Sequence, residues 1–163
     1  MTENNTAAAA AQTSAAAREY LSVFVGKWRT SGQSFAEGQR VEDPRASAVP
    51  WTSVESYEWL PGGHFLLHRW DAMVGAYPFQ GTEIIGFDES KGGYFSHLFD
   101  NAGNHGEYRG ERSGNIWKFN EPGTRSVITV TSDGQEMDVV WQWTNGGREW
   151  LPLCERRAWR LED

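Results

Sequence analysis

The sequence predicts an all-β protein: an antiparallel up-and-down β-barrel of about ten strands, preceded by a short N-terminal helix. Beyond Gly26 the chain consists of short segments of alternating polar and apolar residues, separated by Gly, Pro, Asn and Asp. This pattern is typical of short strands joined by tight turns. So many consecutive antiparallel strands favour closure, because a closed sheet leaves no edge strand unpaired.

The elements follow in order along the 163 residues. Residues 1–13 are expected to be a disordered tail and residues 14–163 a single barrel domain. Ser14 can cap a short helix that ends at Gly26. A polar loop is expected over 35–50, with a short strand at 37–41 left open. The remaining strands are expected at 27–33, 52–60, 63–71, 79–88, 93–100, 106–112, 115–120, 125–132, 135–144 and 148–161.

Three turn signals sort the side chains between two faces. Asp133-Gly134 is a strong two-residue hairpin turn, which pairs Ser132 with Gln135. The weaker Ser113-Gly114 signal and Asn145-Gly146 close two further hairpins. All three place aromatic side chains together on one face, which we assign to the interior: Tyr108, Trp117, Phe119, Trp141, Trp143 and Trp150.

The segment Leu60-Pro61-Gly62-Gly63 predicts a fourth reversal, because Pro followed by Gly suits a type II turn. Counting back from it places Trp59 opposite His64 and Glu55 opposite His68. The more aromatic face is again assigned to the interior, and it carries Glu55, Tyr57, Trp59, His64, Leu66, His68 and Trp70. Polar groups among aromatic walls are typical of a ligand cavity. We expect Glu55 and His68 to form a carboxylate–imidazole pair.

Other polar residues are less constrained by the pattern. His97 and Glu83 lie on strands that are apolar on both faces, so their direction stays open, and His105 near a Gly/Asn turn is expected to be solvated. Arg156 points inward unless a bulge follows Pro152, and proline favours such a bulge. His64 and His68 are about 13 Å apart along a strand, which is too far for one ion, so no metal site is predicted.

Composition excludes several partners. The net charge of −7 and the lack of a Lys/Arg run argue against a nucleic-acid surface. No apolar stretch approaches the ~18 residues of a membrane span. The alanine-rich N-terminus has no basic region ahead of it, so it does not resemble a signal peptide, and we expect a cytoplasmic protein. Cys154 is the single cysteine, which rules out an internal disulfide.

Four segments together resemble a bacterial family known as domain of unknown function 1579. They are Gly26-Lys27-Trp28 after the helix, then EWLPGGHFLLHRWD, GTEIIGFD and GYFSHLFDNAGN. The resemblance covers roughly residues 18 to 161. That family is similar to the calycins, short barrels with an N-terminal helix closing one end, so the resemblance implies a calycin-like barrel that binds small molecules.

The stretch GKWRTSG is also similar to the opening of nitrobindin, a haem-binding barrel. Nitrobindins hold haem through a histidine near the C-terminus, and the last predicted strand here has none. The resemblance therefore implies that haem could be held only by one of four other histidines: His64, His68, His97 or His105.

Our leading hypothesis is the binding of a small, largely apolar or aromatic molecule in the barrel. The walls would be Trp59, Trp70, Trp117, Trp141 and Trp143, with polar or ring contacts from Tyr57, His64, His97 and Tyr108. The alternative is a cofactor-free acid–base enzyme (a lyase, isomerase or cyclase) with His68 as base, Glu55 orienting it, and Tyr57 or Tyr108 donating to an oxyanion. A haem barrel and a filled structural barrel are further alternatives. The sequence identifies no cofactor, and the oligomeric state stays open, with a homodimer as one alternative.

Overall fold

The computed structural model describes residues 13–146 and 149–162. Residues 13–20 form an α-helix that continues as a 3-10 turn over Leu21–Phe24. The predicted tail lies outside the described residues except for Thr13. The strands are β1 (Gly26–Ser34), β2 (Val49–Trp59), β3 (Phe65–Val74), β4 (Tyr77–Asp88), β5 (Gly93–Asp100), β6 (His105–Ser113), β7 (Ile116–Glu121), β8 (Thr124–Val130), β9 (Glu136–Trp143) and β10 (Leu151–Arg160).

These ten strands form one closed antiparallel barrel. Each strand pairs with the next along the chain, and β1 pairs with both β2 and β10. The predicted up-and-down barrel with a short N-terminal helix is thereby confirmed. The optional strand at 37–41 does not form, and an isolated bridge between Arg40 and Asp43 lies within that loop. No helix among the described residues is long and apolar enough to span a membrane.

The turns after β6 and β8 leave the side chains of the flanking strands on the faces that were predicted for them. Val130 pairs with Met137 across Asp133-Gly134, as the two-residue turn requires. The β6–β7 turn is centred one residue later than predicted, so that Ser113 pairs with Ile116. That change moves the pairing by an even number of residues. Because side chains alternate with a period of two, Trp117 stays on the inner face.

The β2–β3 turn is centred one residue later than predicted. Trp59 lies opposite Leu66, and the Leu60 N–H donates to the carbonyl of Phe65 at 2.9 Å. Gly62 and Gly63 both adopt positive φ, which extends the reversal to Phe65. The offset is again even, so the faces are unchanged. His64, however, lies in the turn and is exposed, so the prediction that it points inward was wrong.

The β9–β10 pairing contains two odd offsets, which together shift the pairing by an even number of residues. Leu151 lies opposite Trp143, and a bulge between Pro152 and Cys154 then places Cys154 opposite Trp141. The first offset turns Trp150 outward, where it is 36% exposed, so its predicted inward position was wrong. The bulge adds one residue and so exchanges the faces of the side chains that follow it. Arg156 therefore points inward, although the bulge after Pro152 was expected to turn it outward.

A group of fully buried apolar side chains lies beneath the helix at one end of the barrel. A group that we call the plug comprises Leu21, Phe24, Trp28, Leu66 and Trp117, each at most 1% exposed. The Phe24 and Trp117 rings are 5.1 Å apart, and the Trp28 indole donates to the Phe24 carbonyl at 2.8 Å. The helix therefore closes this end by burying aromatic rings between the strands.

Candidate functional site

A buried polar network crosses the middle of the barrel. The His68 Nε2 atom lies 3.0 Å from Glu55 on β2, and its Nδ1 atom lies 2.9 Å from Glu83 on β4. Arg156 on β10 donates from Nη1 to Glu55 Oε1 at 2.6 Å. We call these four residues the charged network. Their side chains are between 1% and 12% exposed.

Hydroxyl groups complete the network. Ser53 donates to Glu55 Oε1 at 2.7 Å, and Thr30 bonds to Ser53. Ser96 donates to the second oxygen of Glu83. Strand alternation explains the layer, because each of these residues occupies an inward position at about the same height of the barrel.

The charges of the network compensate one another. Burial opposes ionisation of Glu55, but Arg156, His68 and Ser53 outweigh it and lower the pKa of Glu55 to about 2. Burial also opposes the imidazolium, yet the two carboxylates raise the pKa of His68 above its usual 6.5. Both ring nitrogens face carboxylate oxygens, which the doubly protonated ring satisfies best. Two carboxylates then balance one imidazolium and one guanidinium.

Stability should therefore depend on pH in a defined direction. A raised folded-state pKa of His68 contributes stability that is fully present below pH 6.5 and is lost as pH rises through the folded value. The lowered pKa of Glu55 contributes stability that is present above pH 4.5 and is lost as pH falls toward about 2. We expect the free energy of unfolding, measured with urea, to be greatest between pH 4.5 and 6.5 and to decline above it. His97→Gln, which changes an exposed ring, should keep this profile; a wild-type value that rises from pH 6.5 to 9 would contradict the proposed imidazolium.

Aromatic side chains line the barrel between the network and the end opposite the helix. We call this group the mouth cluster: Trp51, Trp70, Phe79, Leu98, Tyr108, Trp141 and Trp143. Phe79 packs against Trp51 and Trp70 at ring distances of 5.5 and 5.8 Å. Tyr108 contacts Trp141 edge-on at 5.4 Å. Leu98 packs against residues on both sides, so the cluster is continuous.

The mouth cluster keeps accessible inner surface. Phe79, Leu98, Trp141 and Trp143 are half-buried although they point inward. The rim carries Glu121, which accepts a hydrogen bond from the Tyr108 hydroxyl at 3.1 Å. Burial and the nearby Glu121 raise the pKa of Tyr108 well above its usual value, so this phenol stays protonated and can donate.

The loop between β1 and β2 is fastened to this rim. Phe35 is fully buried, and Gln39 accepts a hydrogen bond from the Trp143 indole at 2.7 Å. The same side chain donates to the carbonyl of Pro152 at 2.6 Å. The long polar segment of the sequence thus borders the opening of the barrel.

The sequence-predicted residues separate into three groups. Glu55, His68 and Tyr57 meet in the middle, where the Tyr57 and His68 rings stack at 4.0 Å and burial raises the pKa of Tyr57 well above its usual value. Trp70, Tyr108, Trp141 and Trp143 belong to the mouth cluster. Trp59 and Trp117 were predicted to line the same wall as these residues, which was wrong, because both pack at the helical end. His64 and His97 were predicted to contact the ligand but are exposed.

Sequence reasoning missed part of the site. Glu83 lies on a strand with apolar residues on both faces, so the sequence pattern did not indicate whether its side chain points inward or outward. The register shows that it pairs with His68, which fixes it inward. Trp51 was omitted because its strand was expected to begin one residue later, and Arg156 was discounted because of the bulge.

The residues present do not fit a haem group. His64, His97 and His105 are exposed, and His68 has carboxylate oxygens at both ring nitrogens. No inward histidine therefore offers a free nitrogen to an iron. Within residues 13–146 and 149–162, no group of three or more His, Cys, Asp or Glu side chains is arranged to hold a metal ion.

A closed antiparallel barrel with a helical plug at one end defines a calycin-type fold. The sequence matches the family model "Protein of unknown function (DUF1579)" over residues 13–144, and the chain belongs to this family. The resemblance seen in the sequence is confirmed.

Solved structures of the same fold are distant in sequence. Rv2717c from M. tuberculosis is 12% identical with a TM-score of 0.63, covering 88% of this chain and 96% of that chain. The zebrafish ileal bile acid-binding protein complexed with cholic acid is 12% identical with a TM-score of 0.52, covering 85% and 99%. At this identity the likeness shows the fold alone. No curated protein matches the sequence significantly.

Proposed function

We propose that this protein binds a small, largely aromatic or apolar molecule among the residues of the mouth cluster, above the charged network. The observation that carries the proposal is the difference between the two ends of the barrel. The Phe24, Trp28 and Trp117 rings of the plug are at most 1% exposed, whereas Phe79, Trp141 and Trp143 in the mouth cluster are only partly buried. Accessible aromatic walls next to a few buried polar groups are typical of small-molecule sites. A barrel of this fold in complex with cholic acid supports the same function.

The geometry gives less support to acid–base catalysis. A general base needs a ring nitrogen within hydrogen-bond reach of its substrate. Both nitrogens of His68 are bonded to carboxylates, and its ring face is covered by Tyr57. The Glu55–His68 pair therefore fits a rigid base for the ligand site better than a catalytic dyad.

A neutral fluorescent probe tests the proposed function. N-phenyl-1-naphthylamine should show a saturable rise in fluorescence when it is titrated with the wild-type protein. Trp141→Ala should weaken its affinity roughly tenfold, because the variant removes a partly buried ring of the mouth cluster. Trp159→Ala removes an outward indole that is 40% exposed and should leave the affinity unchanged. A fluorescence rise without saturation, or equal affinity in Trp141→Ala and wild type, would overturn the proposal.

A further inference from the structure

Two buried donors, one in the mouth cluster and one in the charged network, have no acceptor. Among the described residues, the Trp70 Nε1 atom and the Arg156 Nε atom are the buried side-chain nitrogen and oxygen atoms without a hydrogen-bond partner. Trp70 is 7% exposed, and the Arg156 side chain is 8% exposed. Buried polar groups in folded proteins are normally paired, so these two positions need an explanation.

Other indoles of the interior are satisfied. Trp28 donates to the Phe24 carbonyl, Trp51 donates to Ser53 at 3.0 Å, and Trp143 donates to Gln39. Trp70 differs from them, although at 7% exposed it is as buried as Trp51. Its unpaired N–H is therefore a local feature and not a general property of the tryptophans in this barrel.

The two donors lie next to the same residue, Glu55. Trp70 is the cross-strand partner of Glu55, and Arg156 binds Glu55 through Nη1. The guanidinium also lies over the Trp51 ring at 4.4 Å, and Trp51 and Trp70 pack in one cluster. Both unpaired atoms are N–H donors. A ligand that carries a hydrogen-bond acceptor would therefore satisfy them.

The charges indicate which acceptor is suitable. The charged network is balanced internally, with two carboxylates against an imidazolium and a guanidinium. Glu121 at the rim adds a further carboxylate near Tyr108. An anionic ligand would introduce another negative charge into this buried region, which is costly without a new cation. A neutral carbonyl oxygen has two lone pairs and adds no charge.

We propose that the ligand of this site is a neutral aromatic molecule bearing a carbonyl-type acceptor, which receives a hydrogen bond from Trp70, Arg156 or both. This inference rests on the proposed binding function and deepens it. The apolar part of the ligand contacts the mouth cluster, and its oxygen points toward the charged network. The unpaired donors then select against a hydrocarbon of the same shape, because such a ligand leaves them unsatisfied.

A matched series separates this inference from the proposed function. The three compounds are 2-acetonaphthone, 2-ethylnaphthalene and 2-naphthoate, measured by equilibrium dialysis against the wild-type protein. We expect the ketone to bind about tenfold more tightly than the hydrocarbon and more tightly than the carboxylate. If the hydrocarbon binds saturably and as tightly as the ketone, the carbonyl preference is refuted while the binding function stands. If none of the three binds saturably, the binding function itself fails.

Variants identify the donors. Trp70→Phe keeps a ring but removes the indole N–H, and Arg156→Lys keeps a cation beside Glu55 but removes the Nε–H. At least one variant should reduce the preference for ketone over hydrocarbon to about twofold or less, whereas Trp150→Phe at an exposed position should retain it. An unchanged preference in both variants would overturn the assignment. In wild-type protein the ketone should shift the proton resonance of the Trp70 indole N–H, of the Arg156 Nε–H, or of both downfield, and the hydrocarbon should shift neither, which provides a test that needs no variant.

Discussion

Glu55→Gln is expected to lower the free energy of unfolding by about 3–5 kcal/mol, because it leaves a buried cation without its counter-ion. The Glu55 carboxylate accepts hydrogen bonds from Arg156, Ser53 and His68 and is 1% exposed. A neutral amide of the same shape cannot balance the guanidinium. Urea denaturation at pH 6 measures the change.

The matched control is Glu58→Gln on the outer face of the same strand. Glu58 pairs with Arg69, and both side chains are more than half exposed. Exposed ion pairs contribute about 0–1 kcal/mol, so this variant should remain close to the wild type. A loss below about 1 kcal/mol in Glu55→Gln would mean that the charged network is not formed as described.

Trp117→Ala should cost about 3–5 kcal/mol of stability, because it opens a cavity inside the plug. Trp117 is 1% exposed and packs against Phe24 and Tyr94. The affinity of the folded variant for N-phenyl-1-naphthylamine should not change, since the plug lies beyond the network from the mouth cluster. Urea denaturation and probe titration on the same protein give both quantities.

Trp159→Ala is the control for losing an indole without opening a cavity. The Trp159 side chain is outward and 40% exposed, so its removal should cost less than about 1 kcal/mol. If Trp117→Ala abolished probe binding in a protein that is still folded, Trp117 would belong to the ligand site, as its sequence position first suggested.

The barrel itself could be predicted because alternation and turn chemistry agree. Asp133-Gly134 fixes its hairpin register to the residue. The β2–β3 and β6–β7 turns were each predicted one residue too early, and each error shifts the strand pairing by two residues, which is an even number. An even offset leaves every side chain on its face, so Glu55 and His68 were still brought to the same interior. The pairing itself differs, since Tyr57 and not Glu55 lies opposite His68.

The rest of the site depends on strand register and on a bulge, which the alternation of polar and apolar residues does not reveal. His68 reaches Glu83 only because β3 and β4 are in a particular register, and the β4 sequence is ambiguous in direction. Arg156 points inward because a bulge compensates for an odd offset in the preceding hairpin. The division of the tryptophans between plug and mouth also needs the height of each residue along the barrel axis, which depends on the strand stagger.

The division also explains how one barrel could combine stability with the proposed binding function. The plug and the charged network hold the strands together at one end and in the middle. The mouth cluster keeps aromatic surface that is not fully used for packing, which costs some stability and is the surface that the proposed ligand would contact. The loop fastened through Gln39 borders this opening.

The most direct measurement is a titration of ¹⁵N-labelled protein with N-phenyl-1-naphthylamine, followed through the indole N–H resonances of its nine tryptophans. The resonances of Trp51, Trp70, Trp141 and Trp143 should shift with saturation, while those of Trp28 and Trp117 stay fixed. Shifts confined to Trp150 and Trp159 on the outer surface, or shifts as large for the plug as for the mouth cluster, would contradict a ligand site at the open end of this barrel.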